Sequence, residues 1–449
     1  MKRYFGTDGV RGVANTELTC TMAFELGRIA VELLGPLLVI GRDTRKSGVM
    51  LESALVAGIT SAGGDVLLAD IVPTPAVALL VREFKASGGV VISASHNAPE
   101  YNGIKFFDAE GFKLTSTLEN TFEERLQAAV AGEPRDEGTP LTGAAIGSAS
   151  RIEDAAERYI AHAVATVQAQ GLDFAGLKVA VDCGHGAAHA TTPEALRRLG
   201  AAVTVINTSF DGNDINVGCG STQLEPLRKL VATTGADMGI AHDGDADRML
   251  ALDASGAEID GDFIEAICAK DLLERGLLRH NTVVSTVMCN LGFTVALQQL
   301  GIEVIQTAVG DSNVLAALRA GGLNLGGEQS GHTIFLDHNS TGDGLVSALQ
   351  LLAALRRSGK TLAEAAQVMT KYPQVLININ VADKTGLATS DTLHKAIDAA
   401  QARLQDSGRV LVRASGTEPL VRVMVEAANE ELAQELATQL AQVVQQELG

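Results

Sequence analysis

The stretch GGVVISASHN, residues 88–97, decides how this chain is read. Two glycines lead into Val90, Val91 and Ile92, an aliphatic run that reads as a buried strand. The run then breaks into Ser93, Ala94 and Ser95, followed by His96 and Asn97, and APEYNGIKFF carries it on to Phe107. Taken alone, such a break is what any turn looks like, because Ser, Asn, Pro and Gly are turn residues. Its meaning comes from two other places where the same layout returns.

Three times the chain writes a strand, a helix-like segment, a glycine-led second strand and a third strand ending in polar residues. The first strands are PLLVIGRDT (36–44), LKVAVDCG (177–184) and TVVSTVMCN (282–290). The second are GGDVLLAD (63–70), GAAVTVIN (200–207) and GIEVIQTA (301–308). The third segments are GGVVISASHN (88–97), ADMGIAHDGDADR (236–248) and LNLGGEQSGH (323–332). Strands alternating with helices predict α/β units with largely parallel sheets and right-handed crossovers. Open parallel sheets bind ligands beyond the carboxyl ends of their strands, and there the most polar cluster of each unit falls. From about residue 374 the pattern changes. QVLININV reads as a strand, 389–406 as a helix, GRVLVRASGTEPLVRVMVEA as a hairpin-like strand pair and 429–448 as a helix, a small α+β domain.

The 449 residues allow about three ordinary domains. Charged residues make up 20% and hydrophobic ones 46%, the balance of a globular protein. A net charge of -19 opposes binding to nucleic acid, so an anionic substrate needs a local cluster of cations. Five scattered cysteines without a C-x-x-C pair speak against a disulfide framework or a zinc ribbon. With no signal-like opening and no long apolar run, a cytoplasmic protein without a membrane span is expected.

Three clusters carry chemistry. In DGDADR, Asp243, Asp245 and Asp247 stand at i, i+2 and i+4, a spacing that gathers oxygen ligands around a hard divalent cation. An EF-hand fails on register, because its sixth position is Arg248 rather than Gly and its twelfth is Ala254 rather than Glu. In RASGTEPLVR, Arg413, Ser415, Gly416, Thr417 and Arg422 suit a phosphate dianion. In GGEQSGH, Glu328, Ser330 and His332 offer hydrogen bonds to vicinal sugar hydroxyls. SGKT at 358–361 is no P-loop, since Ala354 takes the place of its first glycine. A dinucleotide fingerprint is also lacking.

TDGVRG, SASHN…NGIK, DGDADR, GGEQSGH and RASGTEPLVRV, in that order, resemble the α-D-phosphohexomutases over nearly the whole chain. FGTDGVRG (5–12), CGST (219–222), VMCNLGF (287–293), TGDGLVSALQ (341–350) and Gln329 are most similar to the bacterial branch that acts on glucosamine phosphates. The resemblance implies three related α/β domains and a smaller C-terminal α+β domain around a central cleft. It places them at 1–155 with the phosphoserine loop, 156–258 with the metal loop, 259–371 with the sugar loop and 374–449 with the phosphate clamp. Ser95 would carry the phosphoryl group, and Asp243, Asp245 and Asp247 would bind one Mg²⁺ together with the seryl phosphate. Arg11, His96, Lys105 and Arg248 would line the reaction centre. Glu328, Ser330 and His332 would hold the sugar, and Arg413, Ser415, Gly416, Thr417 and Arg422 the phosphate that is not reacting.

The implied reaction interconverts glucosamine 6-phosphate and glucosamine 1-phosphate through glucosamine 1,6-bisphosphate, feeding UDP-N-acetylglucosamine and cell-wall precursors. Lys105 and His332 are candidates for its general acid and base, and Ser93 reads as structural. The resemblance admits a homodimer. Two departures stand out: Ala98 precedes Pro99 where the family usually has Pro directly after the Asn, and GDSN (310–313) replaces the G-D-R-Y common in bacterial relatives. Glucose or mannose phosphates are the alternative substrates. A metal-dependent sugar phosphatase and a catalytically silent sugar-phosphate-binding protein are the rival classes.

Overall fold

The computed structural model describes residues 4–6, 9–133, 140–415 and 420–449, with Thr385 described in its backbone alone. Its aliphatic runs become strands that assort into four sheets. The first contains Val10–Val13 (β1), Leu37–Arg42 (β2), Asp65–Ile71 (β3), Gly88–Ile92 (β4), Tyr101–Phe107 (β5) and Ala149–Arg151 (β6), in the order β1-β5-β4-β2-β3-β6. The second contains Lys178–Asp182 (β7), Ala202–Ile206 (β8), Met238–His242 (β9), Met249–Asp253 (β10) and Glu258–Ile259 (β11), in the order β11-β10-β9-β7-β8. The third contains Thr282–Thr286 (β12), Glu303–Thr307 (β13), Leu325–Gly327 (β14) and Thr333–Phe335 (β15), in the order β13-β12-β14-β15.

One rule runs through all three sheets. The third strand of each repeat lies parallel to the first, giving β4-β2-β3, β9-β7-β8 and β14-β12-β13. A fourth strand, β5, β10 or β15, then returns antiparallel beside the third. Strands β4, β9 and β12 are buried along their whole length, which is why they read as near-continuous aliphatic runs. The neighbouring β8 and β13 alternate toward solvent. In each of the three repeats the polar cluster is the loop between the third strand and its antiparallel return. The repeats thus deliver three site loops from equivalent positions in three sheets.

The fourth sheet is antiparallel throughout, with Gln374–Asn380 (β16), Arg409–Ala414 (β17) and Leu420–Glu426 (β18) in the order β16-β18-β17. Helices Asp391–Leu404 and Glu430–Leu448 pack on it through Leu393, Leu404, Leu436 and Leu440, against Val421 and Val423. The fold is therefore α/β with mixed, largely parallel sheets plus a small α+β part.

The chain divides into two compact units. One comprises residues 1–287 with 303–367, and holds the first three sheets. The other comprises 288–302 with 368–449. Within the second, Asn290 Nδ2 donates to Tyr372 O at 3.0 Å and to the buried carboxylate of Glu426 at 3.1 Å. Among the described residues, no helix is long and apolar enough to cross a membrane.

Candidate active site

Strand β4 ends at Ile92, and three residues later the backbone turns left-handed at Ser95, with φ 50°. A residue with a Cβ adopts this region at some cost, so neighbours must hold it there. Ser95 is buried, and its Oγ donates to Asp243 Oδ2 at 2.6 Å. Its amide donates to the Ser93 hydroxyl at 2.9 Å, and that hydroxyl donates to Asp43 Oδ2 at 2.7 Å. His96 Nδ1 stands 3.5 Å from Ser95 Oγ. Burial, and then the guanidiniums of Arg248 and Arg11, lower the His96 pKa to about 4 and keep the ring neutral at physiological pH. Arg11, on β1, donates to Asn97 Oδ1 at 3.2 Å, so two separated motifs meet at this loop.

The loop between β9 and β10 brings Asp243, Asp245 and Asp247 together, with one carboxylate oxygen from each lying within 4.8 Å of the others. The loop closes on itself. Ala246 is left-handed at φ 53°, its amide donates to Asp243 O at 3.1 Å, and the Arg248 amide donates to Asp243 Oδ1 at 3.3 Å. Buried His242 bonds Arg248 O through Nδ1 at 2.9 Å and pairs with the Thr192 hydroxyl through Nε2 at 3.0 Å. Gly244 is required by proximity, since a Cβ there would stand 2.7 Å from Ser95 O. The serine loop and the acidic loop are in contact through their backbones.

Three buried carboxylates so close repel one another. Burial, then Asp247 and Asp245, push the Asp243 carboxyl well above the usual range. Burial would raise Asp247 too, but the charges of Lys105 and His332 outweigh it and hold that carboxyl low. Lys105 Nζ lies 2.8 Å from Asp245 Oδ2 and 3.8 Å from Asp247 Oδ2, and the Thr74 hydroxyl donates to Asp245 Oδ2 at 2.6 Å. Asp245 Oδ1 and Asp247 Oδ1 are buried, with no hydrogen-bond partner among the described residues. Hard oxygen donors, mutual repulsion and two orphaned carboxylate oxygens together fit a divalent cation.

The loop between β14 and β15 approaches the same place. His332 Nδ1 is 3.5 Å from Asp247 Oδ2, and its Nε2 is 3.6 Å from Asp311 Oδ2. Burial works against charging this ring, but Asp247 and Asp311 raise its pKa. Glu328 Oε1 accepts from the Gly310 amide at 3.2 Å, and Asp311 pairs with Lys113. The GDSN segment therefore engages the loop between β14 and β15 through Gly310 and Asp311. Arg248 is largely buried, with Nε 3.9 Å from Asp247 Oδ1, whereas Ser330 is exposed at the loop tip.

In the C-terminal unit, Arg413 on β17 and Arg422 on β18 are direct cross-strand partners, so their side chains share one face. Burial, and then Arg422, lower the Arg413 pKa, the mark of two cations placed side by side. Ser415 is buried and its carbonyl accepts from Lys384 Nζ at 2.9 Å. Gly416 and Thr417 lie outside the described residues, as do Thr7 and Asp8 of the TDGVRG motif. Asp43, Arg45, Thr74, Asn216 and Asp311 escaped sequence reading. Asp43 and Arg45 carried a signal, lying at or just past the end of the first repeat's opening strand, and Asp311 lies in the GDSN segment already singled out.

Four family models match in chain order. They are the phosphoglucomutase/phosphomannomutase α/β/α domains I, II and III at residues 2–132, 157–256 and 260–372, and the C-terminal domain at 376–443. The chain is 51% identical to a phosphoglucosamine mutase of Thermobifida fusca, covering 100% of this chain and 99% of that one. It is 50% identical to one of Pelotomaculum thermopropionicum, covering 98% and 99%. A crystal structure of a phosphoglucomutase/phosphomannomutase family protein from Burkholderia thailandensis matches with TM-score 0.81 at 24% identity, over 98% and 97% of the two chains. N-acetylphosphoglucosamine mutase of Aspergillus fumigatus, solved with GlcNAc-6P and magnesium, matches with TM-score 0.71 at 19% identity, over 100% and 96%. Four domain matches in order, and identity near one half along the full length, place this chain in the phosphoglucomutase/phosphomannomutase family of α-D-phosphohexomutases.

Proposed function

We propose that the protein is a phosphoglucosamine mutase that interconverts glucosamine 6-phosphate and glucosamine 1-phosphate. One observation carries the reading: the hydroxyl of Ser95 sits 2.6 Å from the first of three clustered carboxylates. A seryl phosphate holds about -1.5 to -2 charges near neutral pH. Each unit-charge pair with a carboxylate ~4 Å away costs about 4 kcal/mol at an effective dielectric of ~20. Phosphorylated Ser95 and ionised Asp243, Asp245 and Asp247 are therefore incompatible without added positive charge. Mg²⁺, held by the three aspartates and the seryl phosphate, would supply that charge and stabilise the phosphoryl group in flight.

The chain's own residues do the rest. The bond between Ser95 Oγ and phosphorus breaks as the sugar hydroxyl oxygen bonds to phosphorus, and one net proton passes from that hydroxyl to the departing Ser95 Oγ, which becomes a hydroxyl again. Lys105 and Arg248, gathered by the acidic loop, bring positive charge to the transferred group. Neutral His96 keeps a ring nitrogen beside Ser95 Oγ, where a proton can be held. The 1,6-bisphosphate then turns and returns its other phosphate to Ser95. Glu328, Ser330 and His332 contact the sugar, and Arg413, Ser415, Gly416, Thr417 and Arg422 take the phosphate that is not reacting.

The choice of glucosamine rests on the full-length likeness to phosphoglucosamine mutases. Purified protein should be assayed with the 1-phosphates of glucosamine, glucose and mannose side by side, scoring isomer formed and inorganic phosphate released. The expected result is the highest kcat/KM for glucosamine 1-phosphate with almost no phosphate release. Equal or better kcat/KM for glucose 1-phosphate would move the protein to the neighbouring branch. Phosphate released in step with substrate consumed would make it a phosphatase.

A further inference from the structure

Arg45 heads the fully buried side chains among the described residues, and its surroundings are made of the serine loop. All five of its N–H groups are used. Nε donates to Asp43 Oδ2 at 2.9 Å, Nη1 to Tyr101 O at 2.9 Å and to Ala98 O, and Nη2 to Ser95 O at 3.0 Å and Asn97 O at 2.8 Å. A second group reaches two of the same carbonyls from the second repeat. Asn216 Nδ2 donates to Ser95 O at 2.9 Å and to Asn97 O at 3.1 Å. An amide oxygen in that place would face two carbonyl oxygens, so the side chain has one workable orientation. The segment carrying Asn216 is itself docked, since the Lys46 amide donates to Gly212 O at 3.1 Å and the Thr44 hydroxyl to His185 O at 2.6 Å.

The geometry points to Arg45 and Asn216 as positioning residues for phosphoryl transfer. Together they hold the carbonyls of Ser95 and Asn97, and Arg45 alone also holds those of Ala98 and Tyr101. Ser95 is thereby kept in its left-handed conformation with Oγ on Asp243. Neither residue touches Oγ, and both act through the loop's backbone. A planar fork that reaches four carbonyls is a task for Arg and not for Lys, whose ammonium is a compact point charge.

The inference rests on Ser95 being the phosphoryl carrier, and its test separates the two. Wild type, Asn216→Ala and Arg45→Lys, each full-length with Mg²⁺, are compared in kcat, KM for glucosamine 1-phosphate, melting temperature and hydrogen exchange of the amides of 95–103. Loss of both Asn216 hydrogen bonds should lower kcat by roughly tenfold or more and leave KM within about threefold. Exchange across 95–103 should quicken by roughly tenfold, with a melting temperature within a few degrees of wild type. Arg45→Lys should do the same more strongly. A folded Asn216→Ala protein with wild-type kcat and wild-type loop exchange would overturn the clamp, and this arm decides even where Arg45→Lys fails to fold. A fall in kcat matched by an equal rise in KM, with exchange unchanged, would overturn it too. A wild type that neither carries phosphate on Ser95 nor interconverts the substrates would sink the functional reading, and the exchange rates alone would then judge the clamp.

Discussion

Lys105 Nζ lies 2.8 Å from Asp245 Oδ2, and both side chains are all but cut off from water. A cation in that position does two opposed things. In the proposed reaction it would offer charge to the transferring phosphoryl group, and it would compete with a metal ion for the same carboxylates. Lys105→Met should therefore bind Mg²⁺ more tightly, by roughly tenfold or more, because a repelling charge has gone. Turnover should fall by about 10²-fold, the scale seen when one electrostatic stabiliser is lost. Calorimetric Mg²⁺ titration beside a turnover assay checks both halves, and weaker Mg²⁺ binding would contradict the electrostatic account.

Ser93 and Ser95 call for different outcomes. Ser95→Ala should lose at least ~10³-fold in turnover, as expected for a central catalytic group. Peptide mapping of wild-type protein should find the phosphate on Ser95. Ser93 is not the proposed phosphoryl carrier, and it links Asp43 to the Ser95 amide. Ser93→Ala leaves a buried donor and a buried carboxylate each short of a partner, at about 1–3 kcal/mol of stability. A lower melting temperature with a smaller loss of turnover is the expected pattern, and phosphate found on Ser93 would refute it.

Arg413 and Arg422 face each other across two strands with like charge. Arg422→Ala should relieve that repulsion and leave the melting temperature unchanged or raised. It should also weaken sugar-phosphate binding by about 10- to 150-fold, the worth of a hydrogen bond to a charged group. A rise in melting temperature without a change in KM would make the pair a structural accident.

Glu265, in helix Gly261–Glu274, is fully buried, and neither carboxyl oxygen has a hydrogen-bond partner among the described residues. Burial, and then the neighbouring Asp262, push its pKa well above the usual range. An acid raised in the folded state keeps a proton that the unfolded chain releases above about pH 4.5. Its share of stability is therefore complete below that pH and drains away as pH rises toward the folded value, by at most about 1.4 kcal/mol per pH unit. Glu265→Gln should remove this loss. The variant should melt near wild type at pH 5 and above it at pH 8. Equal melting temperatures at pH 8 would show that the carboxyl is stabilised by a contact not seen here.

The repeats were legible because the central strands β4, β9 and β12 are buried on both faces, so each shows as an unbroken aliphatic run. Ser95 and the aspartates were legible because each cluster is contiguous in the chain. The groups that hold them are not. Arg45 acts on a residue 50 positions away, Asn216 on one 121 away and Thr74 on one 171 away. No local pattern announces a partner at such range. The GDSN segment shows the same limit: sequence reading noted only its departure from G-D-R-Y, whereas the contacts are made by its acidic residue and its backbone amide.

The left-handed backbone at Ser95 also settles which amino acids could ever take its place. Serine and threonine bear the same hydroxyl and are neighbours in the genetic code, and many phosphorylated sites accept either. A β-branched side chain is crowded in this conformation and stiff about its first torsion. Threonine would have to abandon either the conformation or the direction of its oxygen. The proposed dependence on serine is thus written in the shape of the main chain, which disfavours drift between the two residues before the chemistry of the hydroxyl is consulted.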